Sequence, residues 1–164
     1  AEFVQFCDAF SIPVLSITNV NGFKNCMCSE KKLAKALARM TYAFSNATCA
    51  KVNMITGEAY GSAYVFMNSK SIGADLVYAW NDAKIGTMDS TMAAKIMYPD
   101  ADAAEIKEKA SEYEKLQSSA TSAAARGYVD RIIEPADSRK YLVAAFEMLY
   151  TKYVGEPEKK HGTK

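Results

Sequence analysis

Apolar residues recur along this chain with two periods, one suited to helices and one to strands. Phe3, Phe6, Cys7 and Phe10 keep the i, i+3, i+4, i+7 spacing of one helix face, and Ser11 and Pro13 stop that helix. Residues 13–20 (PVLSITNV) are rich in branched side chains and read as a buried β-strand. Asn21-Gly22 marks a turn and residues 22–28 a loop, after which Ser29 is placed to N-cap a helix over residues 30–47. Leu33, Leu37, Met40 and Phe44 form its apolar stripe, with Lys31, Lys32, Lys35 and Arg39 facing mostly outward. Residues 74–80 (ADLVYAW) and 84–87 read as strands, and residues 89–98 as a helix that Pro99 ends. The strongest helical period covers residues 102–126, where Ile106, Ala110, Tyr113, Leu116, Ala120 and Ala124 make one stripe. Gly127 suits the left-handed position that closes such a helix. Residues 128–133 return as a strand, and Asp137 caps a last helix to residue 153 that buries Leu142, Ala145, Phe146, Leu149 and Tyr153.

Strands alternating with helices through short connections predict an α/β fold, a parallel-rich sheet with flanking helices, in one domain over residues 1–154. Residues 155–164 have the charged, apolar-poor composition of a disordered tail. The chain opens inside a helical pattern and without Met, which is expected of a fragment truncated at its N-terminus.

The stretch with chemical promise is residues 51–68, KVNMITGEAYGSAYVFMN. A β-prone run (Val52, Met54, Ile55, Thr56) passes through Gly57 and reaches Tyr60-Gly61-Ser62-Ala63-Tyr64, where side chains turn small and a helical pattern begins. A strand that becomes a helix this abruptly leaves first-turn N–H groups without intrahelical partners, aimed at whatever lies before the helix. Preorganised donors of that kind stabilise a developing oxyanion. Small side chains let a ligand approach the backbone, although the same turn also serves plain close packing.

Composition narrows the options. At 164 residues, 49% hydrophobic and 24% charged, the chain is an ordinary globular domain. Its net charge of +1 gives no electrostatic case for nucleic acid or an acidic membrane surface. Glu147 and Lys152 interrupt the most apolar stretch, so no segment inserts into a bilayer, and no secretory signal is visible. Cys7, Cys26, Cys28 and Cys49 include no CxxC pair, and no His completes a metal site with them. Free thiols in a reducing cytoplasm are the expectation. The single histidine, His161, lies in the polar tail. A Ser-His-Asp or Cys-His centre is therefore absent unless that tail folds back, and chemistry must come from backbone donors, carboxylates, lysines or a second chain.

Three separated segments carry a resemblance. FCDAFSIPVLSITNVNGF, KVNMITGEAYGSAYVFMNSKSIGADLVYAW and AARGYVDRIIEPADSRKYLVAAFEML together resemble the C-terminal half of biotin-dependent acyl-CoA carboxyltransferase subunits. These occur in acyl-CoA carboxylases and in sodium-pumping acyl-CoA decarboxylases. The resemblance implies a crotonase-like fold. It also implies movement of a carboxyl group between biotin, held on a biotin carboxyl carrier protein, and the α-carbon of an acyl-CoA. In such enzymes the N-terminal half of one subunit, which mainly holds acyl-CoA, meets the biotin-binding C-terminal half of another, so further subunits and a homo-oligomer are implied. Biotin can shuttle the α-proton there, which removes the need for a catalytic histidine.

By similarity, the N–H groups of Ser62 and Ala63 form the oxyanion site, while Gly22 and Phe23 match a glycine-aromatic loop beside the same pocket. Gly61 and Tyr64 share the cofactor-binding segment, and Val65 falls where the family's signature helix lines the acyl pocket. Many relatives have glycine at the position of Ser62 and proline at that of Asn21, and the loop after Phe23 is short of glycine. Met88-Asp89 stands where carboxylases often have Met-Gly, a lean toward the decarboxylase branch. Two alternatives stand beside this reading. One is a biotin-independent crotonase-type hydratase or isomerase with Glu58 or Asp89 as its carboxylate. The other is a non-catalytic assembly fragment.

Overall fold

A computed structural model describes residues 1–155. Its sheet contains five parallel strands: β1 (Val14–Val20), β2 (Lys51–Tyr60), β3 (Leu76–Trp80), β4 (Lys84–Gly86) and β5 (Arg131–Ile133). They run in the order β1-β2-β3-β5, with β4 also paired to β2. The helices are α1 (Glu2–Ala9), α2 (Met27–Asn46), α3 (Gly61–Val65), α4 (Ser90–Met97), α5 (Ala103–Tyr113), α6 (Ala120–Ala125) and α7 (Ser138–Met148).

β2 is the axis of this arrangement because it changes neighbour partway along. Residues 52–55 pair with β3, whereas residues 58–60 pair with β4. The change happens at a bulge, where Thr18 opposes Ile55 but Val20 already opposes Ala59. The Asn19 side chain fills that bulge and accepts from the Glu58 N–H at 3.0 Å. A Cβ on Gly57 would lie 2.7 Å from Asn19 Oδ1 and would displace that side chain from its bond to Glu58.

One face of the sheet packs Ile55, Val77 and Ala79 against Ala120, Ala123 and Val129. On the other, Val52, Tyr78 and Ile133 meet Ala145 of α7. Asp130 fixes where β5 enters: its carboxylate takes the Val77 N–H at 2.8 Å and both oxygens lie 2.8 Å from Lys70 Nζ.

Several expectations need correction. β1 is not a buried strand: Val14, Ser16 and Thr18 are buried but Leu15 and Ile17 are exposed. Register puts Leu15 and Ile17 beside Val52 and Met54, yet β1 stands at the sheet edge, outside the patch covered by α7. Cys26, not Ser29, occupies the N-cap of α2, because Met27 and Cys28 already belong to its first turn. The helix expected over 102–126 is three pieces, α5, a π-helical turn (Glu114–Ser118) and α6. Ser119 breaks it: its hydroxyl accepts from Ser122 N at 3.2 Å to start α6, while its backbone bridges to Lys84 of β4. Asp137 sits at the N-cap of α7 without a side-chain capping bond, and Tyr153 is 90% exposed beyond the helix end. On α1, Val4 and Cys7 are buried while Phe3, Phe6 and, just past the helix, Phe10 are exposed. All four cysteines are free. No helix among the described residues is long and apolar enough to cross a membrane. His161 and nearly all of the expected tail lie outside the described residues.

Candidate functional site

β2 runs straight into α3 at Tyr60, which keeps an extended conformation, and no side chain caps the helix. Gly61 takes φ +61, and a Cβ there would lie 3.1 Å from the Thr87 carbonyl oxygen. Both facts favour glycine. The N–H groups of Gly61, Ser62 and Ala63 stand in the first turn, where no intrahelical carbonyl reaches them. They emerge at the C-terminal ends of β2 and β4, the end of a parallel sheet where ligands bind.

Side chains of α3 diverge from that point, so the helix acts as a partition. On one side lies a cavity of about 440 Å³ bordered by Gly61, Ser62, Tyr64 and Val65. On the other lies an apolar cavity of about 540 Å³ bordered by Val20, Phe23, Ala63 and Phe66. The structure thus unites Gly61, Ser62, Tyr64 and Val65, and separately Phe23 with Ala63. Gly22 takes φ +147 with open space around its Cα, and it borders neither cavity. Its part is to bend the loop that delivers Phe23.

Electrostatics around the partition are quiet. Burial pushes the Tyr64 phenol up to about 12, so at neutral pH it stays protonated and is no base. Burial, followed by the charges of Glu58, Asp89 and Glu114, raises Tyr60 to about 12 as well. Asp89 is committed to capping α4, accepting from Thr91 N at 3.0 Å and Met92 N at 3.2 Å. Neither Glu58 nor Asp89 borders either cavity. Glu2, at the rim of the apolar one, is bonded to Arg39 at 3.1 Å. Among the described residues no group of three or more acidic, Cys or His side chains could hold a metal.

The sequence reading missed Tyr113, Gln117, Arg126 and Tyr128, which wall the Ser62-side cavity from the end of α5, the π turn and the segment just after α6. Arg126 and Tyr128 fall inside the AARGYVDRIIEP segment, so the signal was present as a motif but not as a position near Ser62.

The carboxyl transferase domain model matches residues 1–163. The chain belongs to that family. This carboxyl transferase domain is 44% identical to the methylmalonyl-CoA decarboxylase subunit alpha of Propionigenium modestum, over 99% of the chain and 33% of that protein. It is 40% identical to the methylmalonyl-CoA carboxyltransferase 12S subunit of Propionibacterium freudenreichii subsp. shermanii, over 99% and 32%. It is 41% identical to a propionyl-CoA carboxylase carboxyltransferase subunit of Haloferax mediterranei, over 99% and 33%. The domain therefore spans about a third of the length of the curated relatives it matches. Carboxylase and decarboxylase names stand at similar identity, 41% and 44%.

Among solved structures, a transcarboxylase 12S crystal structure superposes with TM-score 0.93 at 41% identity, covering 98% of this domain and 32% of that chain. That protein is described as a hexamer with hydrolysed methylmalonyl-CoA bound. The beta subunit of a P. aeruginosa geranyl-CoA carboxylase, 22% identical, shares the fold with TM-score 0.81 over 99% of this domain and 33% of that chain. The crotonase-like α/β architecture of the carboxyltransferases is thus the fold of this domain.

Proposed function

We propose that this domain is the biotin-facing half of a carboxyltransferase that moves a carboxyl group between carrier-borne biotin and the α-carbon of an acyl-CoA. The feature that carries the reading is the bend into α3, where no side chain caps the first-turn N–H groups and Gly61 sits beside the Thr87 carbonyl. Apolar walls from Val20, Phe23 and Ala63 next to those donors suit a small ring with a polar ureido edge. Biotin, when bound, supplies the nitrogen that carries the carboxyl group. The N–H groups of Ser62 and Ala63 hold the ligand oxygen that gains negative charge, and the surrounding apolar wall keeps water from competing. Val65, bordering the other cavity, limits acyl size, and the relatives' names point to methylmalonyl- and propionyl-CoA. A biotin carboxyl carrier protein, the acyl-CoA-binding half and further copies are its partners, in the cytoplasm. The exposed Leu15–Ile17 face of β1 suits such an assembly. A hydratase would need a free carboxylate at the site, and Asp89 and Glu58 do not reach either cavity.

The test uses the complete enzyme with its biotin carrier and acyl-CoA. Ser62→Pro deletes one donor at a first-turn position that tolerates proline, and turnover should fall by about 10²–10³-fold. Ser62→Ala keeps the donor and should keep most of the activity. A folded Ser62→Pro enzyme with undiminished turnover would overturn the assignment.

A further inference from the structure

Glu114, the first residue of the π turn, reaches both ends of one short segment. Its Oε1 lies 2.9 Å from Lys84 Nζ on β4, and its Oε2 accepts from the Ser90 hydroxyl at 3.4 Å, at the start of α4. Between those two anchors stands Thr87, whose carbonyl oxygen lies 3.1 Å from where a Cβ on Gly61 would sit. One carboxylate therefore spans the segment that abuts the bend into α3.

The π turn also sits directly on β4. Ser118 is fully buried, and its Oγ lies 3.1 Å from where a Cβ on Gly86 would stand. The backbone of Ser119 bridges to Lys84. Tyr60, the residue before Gly61, meets the same corner, its Cε1 3.8 Å from the Gly86 Cβ position. A π turn adds a residue to a helix and recurs at functional sites, and here it meets β4 with its first residue and its last. The Lys84 and Glu114 side chains are 44% and 38% exposed, and a pair so exposed adds little to stability. What it adds is a fixed place for the segment between its anchors.

We infer that Glu114 is a positioning residue for the amides of α3, an inference that rests on the carboxyl-transfer reading for its effect on turnover and on geometry alone for its effect on the amides. Glu114 holds residues 84–90 so that the Thr87 carbonyl fixes Gly61, and with it the direction of the Ser62 and Ala63 N–H groups. Donors that swing off their target cost rate more than ground-state binding.

The complete enzyme, with its biotin carrier and acyl-CoA, gives kcat and KM, and ¹H–¹⁵N spectra of the 164-residue chain give the amides of residues 61–63. Glu114→Ala should shift those amides and lower kcat about three- to tenfold, with KM for acyl-CoA within about twofold and thermal stability nearly unmoved. Glu114→Gln keeps one acceptor oxygen and should fall between Glu114→Ala and the parent. Lys84→Met should lower kcat in the same way, and combined with Glu114→Ala it should be no worse than Glu114→Ala alone, because the two share one contact. Lys109→Met breaks a comparable ion pair on α5, to Glu112 at 3.1 Å, and should move neither the amides nor kcat. Should Glu114→Ala fail to fold, Glu114→Gln and Lys84→Met decide by the same two measurements. Unmoved 61–63 amides, or a kcat loss that Lys109→Met matches, overturns the inference. So does an undiminished kcat while Ser62→Pro lowers turnover, and in each of these cases the carboxyl-transfer reading stands. Shifted amides with turnover indifferent to both Glu114→Ala and Ser62→Pro lose the carboxyl-transfer reading and leave the geometric coupling in place.

Discussion

Lys152 Nζ lies 2.9 Å from Asp75 Oδ2, joining the segment after α7 to the entry of β3, 77 residues earlier in the chain. The same carboxylate oxygen takes the Lys51 N–H at 2.7 Å, and Lys152 also donates to the Cys49 carbonyl at 3.0 Å. Both charged side chains are largely buried, so the pair is not a solvated surface bridge. Lys152→Met should cost about 1.5–3 kcal/mol, the range for hydrogen bonds to charged groups. Urea unfolding measures it; a loss below about 0.5 kcal/mol would show the clasp to be idle.

Gly61 offers a second test. Gly61→Ala forces a left-handed alanine and pushes its methyl toward the Thr87 carbonyl. A loss of about 1–3 kcal/mol is expected from the backbone alone. Turnover of the complete enzyme should fall further than stability explains, because α3 and its donors must shift. Gly127→Ala, at φ +81 with open space around it, is the control: it should lose stability and spare turnover.

Alkaline pH should reveal the buried ionisable groups. Burial first, and then the charge of Lys152, lower the folded-state pKa of Lys51 below 10.5. The unfolded chain therefore holds more protons just below 10.5, and this group makes stability rise with pH there. Tyr60 and Tyr64 act oppositely. Their folded values of about 12 exceed the ordinary 10.0, so the native state holds more protons between the two and stability falls. Each tyrosine contributes a slope of at most about 1.4 kcal/mol per pH unit. Urea midpoints across that range should fall less steeply for Tyr64→Phe. The same variant should gain about 1 kcal/mol at neutral pH, since it removes an unpartnered buried hydroxyl.

Thiol labelling separates the cysteines. Hydrogen bonds from the side chain and then the backbone of Ser29 lower the Cys26 thiol pKa, with its Sγ 3.2 Å from Ser29 Oγ. Cys49 is buried and pushed up by desolvation, and Cys7 shares its core cluster. Maleimide should react with Cys26 and Cys28 in the native protein and reach Cys7 and Cys49 only on unfolding. Ser29→Ala should slow Cys26 specifically; an unchanged rate would discount that hydrogen bond.

Much of the architecture was legible because strand and helix periods differ and their alternation leaves few topologies. The glycine at 61 and the small residues after it marked the bend correctly. Whether a strand face is covered was not legible. Leu15 and Ile17 look like Val52 and Met54 in sequence, and only strand order puts the first pair at an uncovered edge. The break at Ser119 was masked because the apolar period continues through the π turn, although two adjacent serines stood there. The division of site residues between two cavities was equally hidden. Neighbours on a one-turn helix point apart, and the far walls arrive from residues 113–128.

The fork in β2 has a consequence for how such a domain can diversify. Its mouth is framed by peptide units, with Asn19 wedged at Gly57 and Thr87 crowding Gly61. Lining side chains such as Val65 and Tyr113 stand apart from that frame. Cargo preference can then be altered at those walls while the bend that presents the amides stays in place.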